Sequence, residues 1–151
     1  RARDYGIPVA FQLRMVDSRS RSWMDIAYVN GKASPQKEWT VKSIVPVVKA
    51  VPDAKFLILN VANGIFVDKG EDMELFRKAE IVFDTSGRQV SNLGNLLKTY
   101  GDEKFAFGTH SPFLDYLTGM LRIAALREEE ADEKARDLVR SGNAKRILDI
   151  A

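Results

Sequence analysis

Cysteine is absent from this 151-residue chain, and histidine occurs only once. The absence of cysteine excludes disulfides, thiolate nucleophiles and cysteine-ligated metal sites. Apolar runs are short, and none approaches the roughly 20 residues that a membrane-spanning helix needs, so we expect no membrane association. Excess charge of one sign is also lacking, because 23 Lys and Arg residues stand against 21 Asp and Glu residues. No basic cluster is interleaved with aromatic residues, so we expect no nucleic-acid partner, and with no signal-peptide pattern visible we expect a cytoplasmic protein.

Four short apolar segments predict buried β-strands. Three of them are nearly continuous apolar runs, which is typical of strands covered on both faces. The four segments are IPVAFQL (7–13), AKFLILN (54–60), EIVFDTS (80–86) and EKFAFGT (103–109). Helical patterns separate and follow them. This alternation predicts a parallel sheet with right-handed crossovers, and it fits either half of an eight-stranded barrel or a small open sheet.

Serine–proline pairs give the clearest helix openings. Ser34-Pro35 and Ser111-Pro112 each offer a Ser N-cap followed by Pro at the first helical position. Pro46 lies inside the first helical pattern and predicts either a kink or an earlier end of that helix. Shorter helices are predicted over 71–79 and 90–99. After the second Ser-Pro pair, apolar residues recur on one side of the predicted helix, namely Phe113, Leu117, Met120, Leu121 and Ala124.

Polar side chains occur at the end of every predicted strand. In parallel α/β proteins the chemistry is carried out at these carboxyl ends. The residues in question are Gln12 and Arg14, then Asn60, then Asp84 and Ser86, and finally Thr109 and His110. The long polar loop that runs from Arg14 through Trp23 to Lys32 is typical of a lid or binding loop. Each polar residue also has a plain structural interpretation, because it could cap a helix or satisfy loop backbone.

Taken together, five segments of the chain resemble the C-terminal half of the amidohydrolase-related family, which comprises metal-dependent hydrolases and decarboxylases with a TIM-barrel fold. The segments are GIPVAFQ (6–12), PDAKFLILNVANG (52–64), IVFDTSG (81–87), YGDEKFAFGTHSPF (100–113) and GNAKRIL (142–148). They stand in the family's order and span nearly the whole chain. The resemblance implies that residues 1–151 are four βα units forming the C-terminal half of a TIM (β/α)₈ barrel, within a longer polypeptide.

The resemblance also implies a divalent metal, Zn²⁺ or Mn²⁺, but three functional positions are changed. Where the family carries two metal-binding histidines and an aspartate that is both ligand and base, this chain has Gln12, Asn60 and His110. Amide side chains are poor ligands for Zn²⁺. Imidazole can bind metal and can also exchange protons near neutral pH. His110 is therefore the one candidate metal ligand, and the metal site is degenerate.

Three functional hypotheses follow. The first is an amidohydrolase-like hydrolase or decarboxylase that acts on a small carboxylate, amide or lactone. In it His110 and Asp84 are catalytic, with Asp84 holding the tautomer of His110, and substrate is bound by Gln12, Arg14, Asn60 and Ser86. The second hypothesis is an inactive barrel that binds a ligand or a partner protein. The third is a small α/β domain without a site.

A half barrel has two unpaired strand edges, and such edges invite pairing. The chain begins RARDYG, without Met, and we expect it to be part of a longer protein. We therefore expect the N-terminal half of the barrel, or a second copy of the chain, to cover the edges of the first and fourth strands.

Overall fold

The computed structural model describes residues 1–13, 28–29, 32–33, 39–61, 70–86, 92–112 and 114–151. Several sequence predictions lie outside these ranges. They concern the Arg14 side chain, most of the loop that runs to Lys32, and the Ser34-Pro35 helix opening. Within the described ranges, none of the helices has the length and apolar character needed to cross a bilayer.

The central feature is a four-stranded parallel sheet. Its strands are β1 (Val9–Gln12), β4 (Phe56–Leu59), β5 (Ile81–Asp84) and β6 (Phe105–Ala106), hydrogen-bonded in the order β1-β4-β5-β6. A separate antiparallel pair is formed by β2 (Tyr28–Val29) and β3 (Lys32–Ala33). The four predicted strands and their parallel pairing are therefore confirmed.

Helices follow the strands as the alternation predicts. They are α1 (Val41–Ala50), α2 (Glu71–Lys78), α3 (Leu93–Tyr100), α4 (Tyr116–Ala124), α5 (Glu133–Asp137) and α6 (Asn143–Leu148), with short 3₁₀ helices at Arg3–Tyr5 and Asp102–Lys104 and a π-helical turn at Leu138–Gly142. α1 continues through Pro46 to Ala50, so the predicted earlier end is wrong. Pro46 lies at an exposed position, where water can satisfy the carbonyl that loses its helical partner.

The opening of α4 differs from the prediction. Ser111-Pro112 forms a turn with a cis peptide bond, and α4 begins only at Tyr116. Asp115 is the N-cap, since its carboxylate accepts a hydrogen bond from the Leu117 N–H at 2.8 Å. Asp and Ser are equally good N-cap residues. Because Ser111 belongs to the turn, Asp115 caps the helix instead.

Apolar packing occurs on both faces of the sheet. On the side covered by α2, which carries Phe76, Phe83 lies at the centre of an aromatic cluster, with ring centroids 6.0 Å from Phe76 and 5.9 Å from Phe105. On the opposite side Ile147 of α6 packs against Val82 and Ala106. All four residues of β5 are buried, which confirms the prediction of two covered faces for that strand.

The outer strand β1 is less buried than β5, since half-buried and exposed residues alternate along it. Ala10 and Gln12 are the exposed ones. β1 lies at the edge of this sheet and pairs only with β4 there. Its residues are therefore less buried than their apolar sequence predicts. The carboxyl ends of the four strands meet at one edge of the sheet, where the candidate site lies.

Candidate functional site

A cavity of about 350 Å³ opens at the carboxyl edge of the sheet. Its polar lining comes from Gln12, Asp84, Thr109 and His110, which follow or end three different strands. The rest of its lining is mostly apolar and includes Leu57, Leu59, Ala106, Phe107, Ala144 and Leu148. The structure thus brings three of the predicted site residues, Gln12, Asp84 and His110, to one cavity that combines an apolar wall with polar groups.

Asn60 and Ser86 lie behind this cavity. Both are fully buried, at 0% exposure, and neither lines the cavity. Both contact Asp84: the Asn60 N–H donates to its Oδ1 at 3.0 Å, and the Ser86 hydroxyl donates to the same oxygen at 2.9 Å. In this structure Asn60 and Ser86 hold the Asp84 side chain in place. Their predicted contact with substrate stays a prediction.

Asp84 ties the end of β4 to the end of β5. Besides the two bonds to Oδ1, the backbone N–H groups of Val61 and Ser86 also donate to its carboxyl group. Burial raises the pKa of Asp84 above its ordinary value, and these hydrogen bonds oppose the rise because they favour the charged form. The Asp84 carboxyl group thus holds Asn60 and Val61, which follow β4, next to Ser86, which follows β5.

Gly108 packs closely against the side chain of Asp84. A Cβ atom at position 108 would lie 2.8 Å from the Asp84 Cβ and 3.1 Å from its Oδ2. Such distances are too short for any ordinary contact, so only glycine lets β6 approach this closely. The Gly108 N–H donates to the Thr85 hydroxyl at 3.2 Å. Gly108 was not among the predicted site residues, although a glycine inside the predicted strand segment 103–109 was the available signal.

His110 contacts Asn60. Its Nε2 lies 3.4 Å from the Asn60 Nδ2, across 50 residues of sequence. Both residues have left-handed backbones, with φ of 59° for Asn60 and 54° for His110. Asn and His are among the residues that adopt this conformation most readily outside glycine. Asp84 thus reaches His110 by way of Asn60, and a direct role of Asp84 in holding the imidazole tautomer stays a prediction.

Arg122 is a buried residue that the sequence analysis did not identify. It projects from α4, is 1% exposed, and donates to the Thr85 carbonyl and, at 2.9 Å, to the Asn92 Oδ1. The guanidinium therefore joins the end of β5 to the residue that precedes α3. Arg122 is one of the three buried residues of α4, with Gly119 and Ile123. Through its bond to the Thr85 carbonyl it stabilises the segment that directly follows Asp84.

The described residues do not by themselves fit a metal site. In the part of the chain that the structure describes, no group of three or more His, Cys, Asp or Glu side chains is close enough to hold an ion. The Nε2 of His110 faces the Asn60 amide, and Asp84 is already engaged by donors. The other two changed positions offer only amide groups, which bind Zn²⁺ poorly. The metal role of His110 stays a prediction.

No protein-family model and no curated protein matches the sequence. Solved structures do match. The 5-carboxyvanillate decarboxylase LigW from Sphingomonas paucimobilis superposes with a TM-score of 0.66 at 16% identity, over 99% of this chain and 51% of that one. The 2,6-dihydroxybenzoate decarboxylase from Rhizobium gives a TM-score of 0.64 at 16% identity, over 98% and 53%. The chain has the fold of half a TIM barrel.

A third match carries a metal. The dihydroxybenzoic acid decarboxylase from Polaromonas sp. JS666, solved with bound manganese and the inhibitor 2-nitroresorcinol, gives a TM-score of 0.63 at 15% identity, over 98% of this chain and 51% of that one. These neighbours are amidohydrolase-superfamily decarboxylases, so the predicted resemblance is confirmed at the level of the fold. The chain spans about half the length of the solved structures that it matches.

Proposed function

We propose that the protein is a decarboxylase or hydrolase that acts on a small carboxylate, amide or lactone, with His110 as the proton-transfer residue. One observation carries the proposal: His110, Gln12 and Asp84 line a single cavity at the carboxyl edge of a half TIM barrel. In barrels of this type the active site lies at that edge. The decarboxylases among the neighbours support decarboxylation as the first reaction to test.

Both reactions need a group that exchanges one proton. In a decarboxylation the bond between carbon and the carboxylate breaks, CO₂ leaves, and the carbon takes up a proton. In a hydrolysis, water loses a proton as its oxygen attacks the carbonyl carbon. Imidazole is well suited to either step near neutral pH. His110 is the only imidazole in the chain, and the apolar part of the cavity lining would limit competing water.

Replacement of His110 tests the proposal. We expect His110→Ala to lower kcat by about 10²- to 10⁴-fold, the usual contribution of a general acid or base. The assay measures CO₂ release from aromatic carboxylates and hydrolysis of simple lactones and esters. Unchanged turnover in the variant would remove His110 from the mechanism.

Asp149 provides a matched control. It has φ of 55°, nearly the value of His110, and it lies at the exposed end of α6. Asp149→Ala therefore places alanine in the same strained left-handed backbone without removing the imidazole. We expect similar losses of stability in the two variants and loss of turnover only in His110→Ala. Equal loss of turnover in both would trace the effect to backbone strain.

The alternative is a barrel that binds a ligand or partner without turnover. By the family resemblance, Gln12, Asn60 and His110 stand where metal-binding residues are expected, and such replacements are what loss of catalysis would produce. Absence of turnover on all of these substrates, together with saturable binding of a small carboxylate, would favour this alternative. Metal content of the full-length protein, purified without chelator, addresses a related question, because any Zn²⁺ or Mn²⁺ site requires ligands outside the described residues.

We also propose that the outer strands are covered in the complete protein, by the N-terminal half of the barrel or by a second copy of the chain. β1 and β6 are the outer strands of the sheet. The exposed side of α4 is apolar, with Leu117 61% and Leu121 54% exposed. Light scattering gives the oligomeric state, and hydrogen exchange reports protection of β1. A stable monomer of the 151-residue chain with a protected β1 would contradict the proposal.

A further inference from the structure

The contact between Asn60 and His110 joins two strand exits in an uncommon backbone conformation. In the described ranges, three residues other than glycine have positive φ, and two of them are this pair. Backbone strain of this kind is concentrated at functional sites. The pair therefore has to be held in place by its surroundings.

Asp84 supplies that support for Asn60. The Asn60 N–H donates to the Asp84 Oδ1 at 3.0 Å, in a fully buried setting and across 24 residues of sequence. This bond fixes the backbone of Asn60 at the end of β4. The side chain of Asn60, which is itself 0% exposed, is thereby directed toward His110. Asp84 acts on the backbone of Asn60, and the Asn60 side chain contacts the imidazole.

The direction of the contact determines where the imidazole carries its proton. The Asn60 atom next to His110 is the amide nitrogen Nδ2, 3.4 Å from Nε2. An amide NH₂ group can only donate, so Nε2 has to accept. A neutral imidazole whose Nε2 accepts carries its proton on Nδ1.

We propose that Asn60 is a positioning residue that fixes His110 as the Nδ1–H tautomer, with Asp84 holding Asn60 through its backbone. This assigns to Asn60 the part that the sequence analysis gave to Asp84, and it removes Asn60 from the substrate-binding residues. The importance of the tautomer for turnover rests on the proposed function. The tautomer itself is a property of the protein without substrate.

The test is ¹⁵N NMR of protein labelled at histidine, recorded at a pH where the ring is neutral. Because His110 is the only histidine of the chain, the signals need no assignment, and the two ring nitrogens have separate shifts in each tautomer. We expect the proton on Nδ1 in the wild type. A wild-type spectrum of the Nε2–H tautomer, or of an even mixture, would overturn the proposal without any variant.

Two substitutions of Asn60 sharpen the test. Asn60→Gly removes the amide and accepts the left-handed backbone, so we expect the tautomer ratio to shift by about tenfold toward Nε2–H, the size of one hydrogen bond. Asn60→Asp supplies an acceptor in place of the donor and should also favour Nε2–H. Amide spectra of both variants check that the fold is retained.

Thr109→Val is the matched control. Thr109 precedes His110 and its hydroxyl accepts from the Ser111 N–H at 3.1 Å, so the variant disturbs the same loop but leaves Asn60 in place. We expect no change of tautomer. A shift in Thr109→Val as large as in Asn60→Gly would mean that loop geometry sets the tautomer, and would refute the role of Asn60. Because no substrate is present, a lack of turnover would not affect the result.

Discussion

Replacement of Asp84 by alanine tests whether this carboxylate holds the ends of β4 and β5 together. Its Oδ1 accepts from the Asn60 N–H at 3.0 Å and from the Ser86 hydroxyl at 2.9 Å. Alanine leaves these two donors, and the backbone N–H groups of Val61 and Ser86, without their acceptor, and the loss of an acceptor for a buried donor costs about 1–3 kcal/mol. Removal of a buried charge offsets part of the cost. We therefore expect the free energy of unfolding to fall by about 2–4 kcal/mol.

Asp84→Asn is the matched comparison, because both of these hydrogen bonds end on a single oxygen. An asparagine keeps one carbonyl oxygen that can accept both, while its second position becomes an NH₂ group. We expect Asp84→Asn to lower the free energy of unfolding by about 1 kcal/mol. Urea denaturation followed by circular dichroism gives both values, with the m-value showing whether the unfolded state has changed. An alanine variant about as stable as the wild type, or an asparagine variant as unstable as alanine, would refute the reasoning.

The same pair of proteins predicts a pH dependence. Burial raises the pKa of Asp84 above its ordinary value of 3.8, so the folded protein binds this proton more tightly than the unfolded chain. The contribution of Asp84 to stability is then fully present below pH 3.8 and is lost as the pH rises through the raised pKa. Asp84→Asn has no such proton, so its deficit relative to the wild type should shrink with rising pH. A growing deficit would contradict the direction of the shift.

Two further predictions concern residues that support the site. Arg122→Leu should lower the free energy of unfolding by about 2–3 kcal/mol, because the Thr85 carbonyl loses a charged donor; thermal denaturation measures it, and a change below about 0.5 kcal/mol would contradict it. Gly108→Ala should lower the free energy of unfolding by about 1–3 kcal/mol, because the added Cβ overpacks against Asp84. At Gly142 the atom nearest to the added Cβ is the flexible end of Leu138 at 3.1 Å, and the Asp137 carbonyl oxygen lies at an ordinary 3.6 Å, so Gly142→Ala should be close to neutral in the same urea titration.

The strands and their alternation with helices could be predicted because each is indicated by a short stretch of sequence. Segments such as EIVFDTS combine apolar and β-branched residues in a run too short for a helix, and β5 lies within that segment with both faces buried. The alternation with helices then leaves few topologies. The family resemblance specified which of them, and the superposition on half of a TIM barrel confirms it.

Helix α4 shows where local signals are insufficient. Its sequence places Leu117, Met120 and Leu121 on one side, yet these residues are 46–61% exposed. The buried residues of α4 are Gly119, Arg122 and Ile123 instead. An arginine with buried acceptors can occupy a core position, but those acceptors, the Thr85 carbonyl and the Asn92 side chain, are distant in sequence, so the pattern alone could not identify the buried side.

The sequence was sufficient to predict where the candidate site lies, but not which of its side chains contact one another. Strand-end positions correctly indicated the edge at which Gln12, Asp84 and His110 would meet, since parallel strands bring their carboxyl ends together. Which groups contact one another depends on side-chain direction and on backbone conformation. The left-handed backbone of Asn60 directs its amide toward His110, and nothing in the residue type alone predicts that conformation over the ordinary ones.

The residues of this edge divide into those that hold the loops and those that line the cavity. Asp84, Ser86 and Arg122 are buried and bonded to the backbone or side chains of neighbouring segments, so their replacement costs stability. Gln12 is exposed at the end of an outer strand, so its replacement changes the cavity at little cost to the fold. Asp84 and His110 belong to both sets, because both line the cavity while Asp84 accepts hydrogen bonds from buried donors and His110 contacts buried Asn60. Replacement of His110 should change the chemistry more than the stability as long as the Asp84–Asn60 bond is kept.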